Sequence, residues 1–245
     1  MRFLINFSYD GSNYSGYQIQ PNLDTIQERI EIAVQKVNNG IRKSVQSSGR
    51  TDKGVHAINQ YAHVDLDIDI TPHKLKRALN SNLPDDIYVK EVTLVDDKFH
   101  ARYNTVGKEY KYYINLGEYN PIERNYVFQY NYKLDIKSMK EAIKVFLGEH
   151  DFRAFVTENT NKPNCVRKID RATIEKIDND KIVITFKGNG FLRYQVRNMV
   201  GILIMAGEGK ISTENVEKIL LSCDRSTSGK TAPANGLYLT EVFYY

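Results

Sequence analysis

The stretch Ser47-Ser48-Gly49-Arg50-Thr51-Asp52-Lys53-Gly54-Val55-His56 holds one acidic side chain, Asp52, beside Arg50, Lys53 and His56, with Arg42 and Lys43 just upstream. No other carboxylate lies between Ile41 and Val64. An Asp-x-Gly triplet is ordinarily a surface turn, because Asp bonds its own backbone and Gly accepts a positive φ. The surroundings add a second possibility. Each cation favours the charged carboxylate, and a close arginine lowers an aspartate pKa by about 1–3 units. An ionised aspartate in a cationic setting able to seat RNA is a candidate nucleophile, since carboxylates form covalent intermediates at sugar carbons.

Two other segments carry candidate groups. In residues 190–207, Leu192, Val196, Met199, Val200 and Leu203 recur at helical spacing and form a core stripe. Arg193 and Arg197 border that stripe, and no acid lies between Lys187 and Gly207, so the segment does not neutralise them itself. They are either solvated or reach an acid elsewhere or a phosphate. In Gly107–Asn115, Tyr110, Tyr112 and Ile114 share one face of a strand. Strand tyrosines usually pack, yet rings beside Lys108 and Lys111 also make stacking platforms for unpaired bases.

Several tempting signals fail. Ser228-Gly229-Lys230-Thr231 resembles the end of a phosphate loop, but Asp224 stands where its first glycine belongs. Thr160–Arg171 carries four basic residues against Asp170, which fits a solvated face or a backbone contact. Asp67-Ile68-Asp69-Ile70-Thr71 matches the start of aspartyl phosphotransferases, but Asp67 sits on the polar side of an alternating strand. The histidines have no metal-ligand spacing.

The bounds are those of a globular protein: 245 residues, 41% hydrophobic, 26% charged, with a net charge of +4. That charge is too weak alone to demonstrate a nucleic-acid partner. No apolar run approaches the roughly 20 residues that cross a bilayer, and the N-terminus turns polar too early for a signal peptide, which argues for a cytoplasmic protein without a membrane partner. Cys165 and Cys223 have no close-spaced partners and read as reduced.

Positioning these groups requires an α+β fold. Residues 2–9 read as a strand, and Thr25–Gly40 as a helix with a Thr25/Glu28 capping box and a stripe of Ile26, Ile30, Ala33, Val34 and Val37. A strand over 41–47 leads into the Asp52 loop. In the alternating strand that follows, Ala62, Val64, Leu66 and Ile68 face one side and Tyr61, His63, Asp65 and Asp67 the other. Thr71-Pro72 opens a helix that stops near Pro84, and residues 87–95 form a strand. This is the split βαβ order on an antiparallel sheet. A looser second round follows, with strand 109–116, helix 136–147, hairpin 171–187, helix 191–206 and closing strand 236–245. The expected halves are residues 1–100 and 101–245, each ferredoxin-like or RRM-like, with their antiparallel sheets joined around a basic central cleft suited to a long ligand. Residues 224–236, rich in Ser, Thr and Gly, read as mobile.

Gly49–Ala57, preceded by "YDGSNYSGYQIQP" and followed by "FHARY", "EYKYYI" and "VRNMVG", resembles the signature of the tRNA pseudouridine synthase A family over almost the whole chain. The resemblance implies isomerisation of uridine to pseudouridine in the anticodon arm of tRNA, without metal, nucleotide or other cofactor, by a homodimer. It makes Asp52 the catalytic aspartate, places Tyr110 against the target base, and sets Arg50 and Arg197 beside them. Lys53 stands where the family often has alanine. Lys108-Glu109 precede the tyrosine where paired basic residues can occur.

That reaction breaks the N1–C1′ bond, turns the base and joins C5 to C1′, so the base must first leave the stack. Asp52 could attack C1′, attack C6, or remove a sugar proton. The competing class is a non-catalytic RNA-binding protein on the same fold. Asp52 discriminates between them, since a pure binder gains nothing from a lone anion facing phosphates.

Overall fold

The protein is described from a computed structural model that covers residues 1–156 and 164–245; residues 160–163 of the basic Thr160–Arg171 stretch lie outside the described residues. In chain order the elements are β1 (Arg2–Tyr9), α1 (Ile26–Val37), β2 (Gln46–Ser47), β3 (His56–Asp65), α2 (Pro72–Asn80), β4 (Ile87–Val95), β5 (Thr105–Asn115), β6 (Phe128–Gln129), α3 (Ile136–Ala142), β7 (Gly148–Asp151), β8 (Val166–Lys176), β9 (Lys181–Gly188), α4 (Gln195–Gly207), α5 (Thr213–Ser222) and β10 (Leu237–Tyr244). The chain forms two compact units, Met1–Val106 with Tyr238–Tyr245, and Gly107–Leu237. The division at residue 100 leaves out the return of the last strand to the first unit.

In the first unit β1 lies antiparallel between β3 and β4, and β2 pairs antiparallel with β3. That is the split βαβ order predicted from patterning. Phe3, Ile5, Phe7 and Tyr9 alternate onto the buried face of β1, where Ile26, Ile30 and Val34 of α1 and Leu75 and Leu79 of α2 are also buried. β2 is shorter than the expected 41–47 because the preceding residues are bonded to a helix instead. The Val45 amide donates to the Glu31 carboxylate at 3.1 Å, and Arg42 pairs with the same group. β10 takes the edge of β3 that this leaves, parallel, with Tyr238 opposite His56 and Leu239 opposite Ala57.

The Thr25/Glu28 capping box does not form, and Thr25 makes no side-chain cap. Loop carbonyls replace it: the Ile26 amide donates to Gly16 O at 3.3 Å and the Gln27 amide to Tyr17 O at 2.9 Å. The orphan donors of the helix start are therefore satisfied by backbone. At α2 the sequence signal holds, since Thr71 Oγ1 accepts from the Lys74 amide.

In the second unit β9 pairs antiparallel with β5 and β8, β7 pairs antiparallel with β8, and β6 runs parallel to β5. Phe146, Phe152, Phe155 and Phe186 form an aromatic cluster in its core. Residues 136–147 split into α3 and a short 3-10 turn. The expected 191–206 helix begins only at Gln195. α5, which the reading above passed over, is capped by Ser212 and buries Val216 and Leu220. Residues 224–236 are anchored: Arg225 donates to Ser228 Oγ at 2.7 Å and Gly229 O at 3.0 Å, and Ser228 and Ala232 are buried.

His63 departs from the alternation. It is 4% exposed, and its Nδ1 accepts the Ala101 amide at 3.1 Å. Burial, then the nearby charges of Arg2 and His100, push its pKa down to about 4. Unfolded, the ring takes up a proton near its ordinary value of 6.5, whereas folded it resists until about 4, so protonation favours unfolding between those values. Stability should fall as pH drops from 6.5 to 4, by at most about 1.4 kcal/mol per pH unit from this residue. His63→Gln, compared with the parent by denaturant midpoints across that range, should flatten the slope.

Candidate functional site

The loop between β2 and β3 carries Arg50 and Asp52. Its backbone runs through a buried polar setting and must be satisfied there. Ser48 is enclosed, its amide donating to Tyr61 O at 2.7 Å and its hydroxyl to Gln60 Oε1 at 2.6 Å. The other end of the Gln60 amide donates to Gly49 O at 3.0 Å. Two residues on, Thr51 Oγ1 meets the Tyr9 hydroxyl at 2.7 Å, and Thr51 O accepts the Tyr17 amide at 3.1 Å. Burial holds the Tyr9 phenol well above the usual tyrosine range, so it stays neutral. The Val55 amide closes a turn on Asp52 O at 3.1 Å, with Gly54 at φ 78°.

The segment Asp10–Gln18 packs against this loop through glycines. A Cβ on Gly11 would lie 2.1 Å from the Val55 carbonyl oxygen, and the Gly11 amide donates to His56 Nδ1 at 3.1 Å. Gly16, at φ 102°, would bring a Cβ to 3.1 Å from Thr51 O. Ser48, Thr51 and Val55 thus point inward, Arg50 and Lys53 are exposed, and Asp52 is half-buried between them. His56 is buried and stacked on Tyr238, with centroids 4.6 Å apart.

The cationic surroundings are narrower than the sequence suggests. Lys43 pairs with Asp67 at 2.7 Å and Arg42 with Glu31 at 3.1 Å, which leaves Arg50 and Lys53 as the loop's own basic residues. A half-buried carboxylate on a loop fixed from beneath can act as a nucleophile or a base, because its direction does not depend on its own side-chain contacts alone.

Tyr110 and Arg197 belong to the second unit. On β5, Tyr112 is fully buried and donates to Pro233 O at 2.8 Å, so for it the packing reading is correct. Tyr110 is 8% exposed and meets Phe191 edge-on at 5.2 Å. Arg197 lies in the first turn of α4 and is half-buried. Its Nε donates to Ala232 O at 2.7 Å, and the Ala232 amide donates to Arg197 O at 3.1 Å. Next to it, Asn198 is buried, bonding Phe155 O at 2.7 Å and Thr231 Oγ1 at 2.6 Å. Gly201 gives the residue 230 backbone room, since a Cβ there would stand 2.0 Å from Lys230 O.

Residues the sequence reading passed over are Tyr9 and Gln60 beneath the Asp52 loop, and Ala232 and Tyr194 beside Arg197. The glycines at 11 and 16 were the available signal for a close backbone approach. Among the described residues no group of three or more His, Cys, Asp and Glu side chains could hold a metal ion. No helix there is long and apolar enough to cross a membrane.

A family model described as tRNA pseudouridine synthase matches residues 5–104 and 142–245. The chain is 45% identical over 246 residues to a tRNA pseudouridine synthase A of Streptococcus mutans, covering 100% of this chain and 99% of that protein. It is 44% identical to proteins of that name from Limosilactobacillus fermentum, covering 99% and 96%, and from Listeria monocytogenes, covering 99% of each.

Gly11→Ala should displace the Val55 carbonyl and lower stability by roughly 1–3 kcal/mol, as overpacking does. Denaturant midpoints would read the loss. Hydrogen exchange should show the amides of Ser48 and Val55 losing protection before those of the β1–β4 ladder.

Proposed function

The chain belongs to the tRNA pseudouridine synthase family, and from that premise we propose that Asp52 is the nucleophile that isomerises uridine to pseudouridine on the 3′ side of the anticodon arm of tRNA. That the chain is an isomerase making pseudouridine in tRNA follows from the family. The residue roles and the anticodon arm are our reading. The observation that carries it is the Asp52 loop: a single carboxylate, half-buried and flanked by exposed cations, on a backbone fixed by Ser48, Thr51 and Gln60.

The target base must be drawn from its stack before the N1–C1′ bond breaks. The ionised Asp52 carboxylate then either displaces N1 from C1′ and is itself displaced when C5 of the turned base bonds to C1′, or adds to C6 and is eliminated once that bond has formed; abstraction of a sugar proton, returned to the sugar at the end, is the remaining route. The bond from C5 to C1′ forms after the base turns, and the hydrogen on C5 leaves to restore the ring. Arg50 is given the backbone of the displaced nucleotide, a task that suits an exposed guanidinium. Tyr110 is given the detached base. Arg197 is given the task of keeping the catalytic carboxylate charged. The family resemblance also supports a homodimer acting in the cytoplasm, and sedimentation tests the first of these.

Selectivity has to come from the shape of a folded arm and the ease of flipping a base near its loop, since a net charge of +4 attracts any RNA. Full tRNA should be modified at neighbouring uridines of the anticodon arm, while poly-uridine binds and reacts poorly. Carbodiimide-dependent primer-extension stops map the sites, and stops confined to the T-arm or D-arm would refute the assignment.

Asp52→Asn and Asp52→Ala should cut tritium release from tRNA labelled at uridine C5 by at least about a thousandfold. Affinity for tRNA should stay within about threefold, because the phosphate contacts remain. Release near the parent rate from either variant would remove Asp52 from the mechanism. Arg197→Met should cost single-turnover rate more than binding, by the worth of a charge-assisted bond, about 1.5–3 kcal/mol. The reverse pattern would make Arg197 a phosphate contact.

A further inference from the structure

We propose that Tyr194 is a positioning residue for Arg197; the proposal rests on the reading that gives Arg197 a part in the reaction. Tyr194 is the N-cap of α4 and sits in the left-handed region at φ 63°, ψ −5°. The other non-glycine residues with positive φ among those described are Asn22, Asn39 and Cys223. Asparagine tolerates this region, whereas a tyrosine does so only against steric cost. An N-cap normally offers a side-chain acceptor to the helix, and Tyr194 makes no such bond. The left-handed backbone closes a turn, in which the Gln195 amide donates to Leu192 O at 3.1 Å, and the Tyr194 carbonyl accepts the Asn198 amide at 2.9 Å.

The ring lies against two arginines. Its centroid is 5.1 Å from Cζ of Arg197 and also 5.1 Å from Cζ of Arg193. Both distances fall within cation–π range. Tyr194 and Arg197 are three residues apart at the helix start, where side chains meet on one face. Arg197 is held a second way, since Nε donates to Ala232 O at 2.7 Å. With one nitrogen on a carbonyl and the cation against a ring, the planar guanidinium is fixed about its own stem. The choice of an aromatic ring over an acid matters here. A carboxylate at position 194 would orient the arginine but also neutralise it, whereas a ring orients it without adding a negative charge.

The test compares Tyr194→Asn, which suits a positive φ but lacks the ring, with Tyr194→Phe, which keeps the ring. Each is made in the parent and in Arg197→Met. Thermal midpoint, tRNA affinity and single-turnover tritium release at saturating tRNA are measured. Tyr194→Asn should keep or raise the midpoint and leave affinity unchanged, yet lower the rate by about tenfold. Tyr194→Phe should retain most of the rate, and in Arg197→Met the Asn change should cost nothing more. Exchange of the Arg197 Nε–H, read by NMR, should quicken in Tyr194→Asn whatever the chemistry of Arg197. The proposal is overturned if Tyr194→Asn turns over like the parent, if both variants lose midpoint and rate together, if the rate falls further in Arg197→Met, or if the exchange is unchanged. Faster exchange combined with parent-like turnover by Arg197→Met would instead bring down the role given to Arg197, and the proposal through it.

Discussion

A backbone buried beneath a half-buried side chain must have its amides and carbonyls paired, and that constraint governs the Asp52 loop. Gln60 is the pivot. Its side-chain carbonyl takes the Ser48 hydroxyl while its amide holds Gly49 O, so one residue of β3 fixes the start of the loop from below. Tyr9 of β1 does the same for Thr51. Buried hydrogen bonds of this kind stabilise modestly when made and are expensive to leave unmade, which makes the loop's shape close to all-or-none. The carboxylate inherits that definition without being buried itself.

What could be read from the sequence was local. The stripe of α1, the strand at residues 2–9 and the Thr71-Pro72 helix start are short-range signals, and each appears where the pattern put it. Asp52 was legible because a single acid in a basic stretch contrasts with its neighbours. The misses are contacts between residues far apart in the chain. His63 is buried because the Ala101 amide needs an acceptor, a relation 38 residues long with no periodic trace. The Thr25/Glu28 box yields to the carbonyls of Gly16 and Tyr17, which no spacing rule around the helix reveals. Residues 224–236 have the composition of a loose loop, yet Arg225 and Asn198 tie them to α4.

The tyrosines of β5 show why residue type underdetermines role. Tyr110 and Tyr112 share a face of β5; Tyr112 is fully buried with its hydroxyl on Pro233 O, and Tyr110 is 8% exposed. Tyr110 meets Phe191 edge-on, with ring centroids 5.2 Å apart. Both positions are buried, and neighbours contributed by later segments, Phe191 for one and Pro233 for the other, set what each side chain meets.

The parallel pairing of β10 with β3 has a consequence for biosynthesis. The first unit takes residues 1–106 and 238–245, with the whole second unit lying between them in the chain. A ribosome adding about 5–20 residues per second finishes the β1–β4 segment many seconds before the strand that covers the His56–Ala57 edge exists. During that interval the edge offers unpaired amides and carbonyls to any extended chain nearby. The second unit is contiguous and has no such wait. Nascent chains stalled before residue 238 should therefore present a folded second unit beside a first unit that is open along one strand, a form on which a chaperone that reads sheet edges could act.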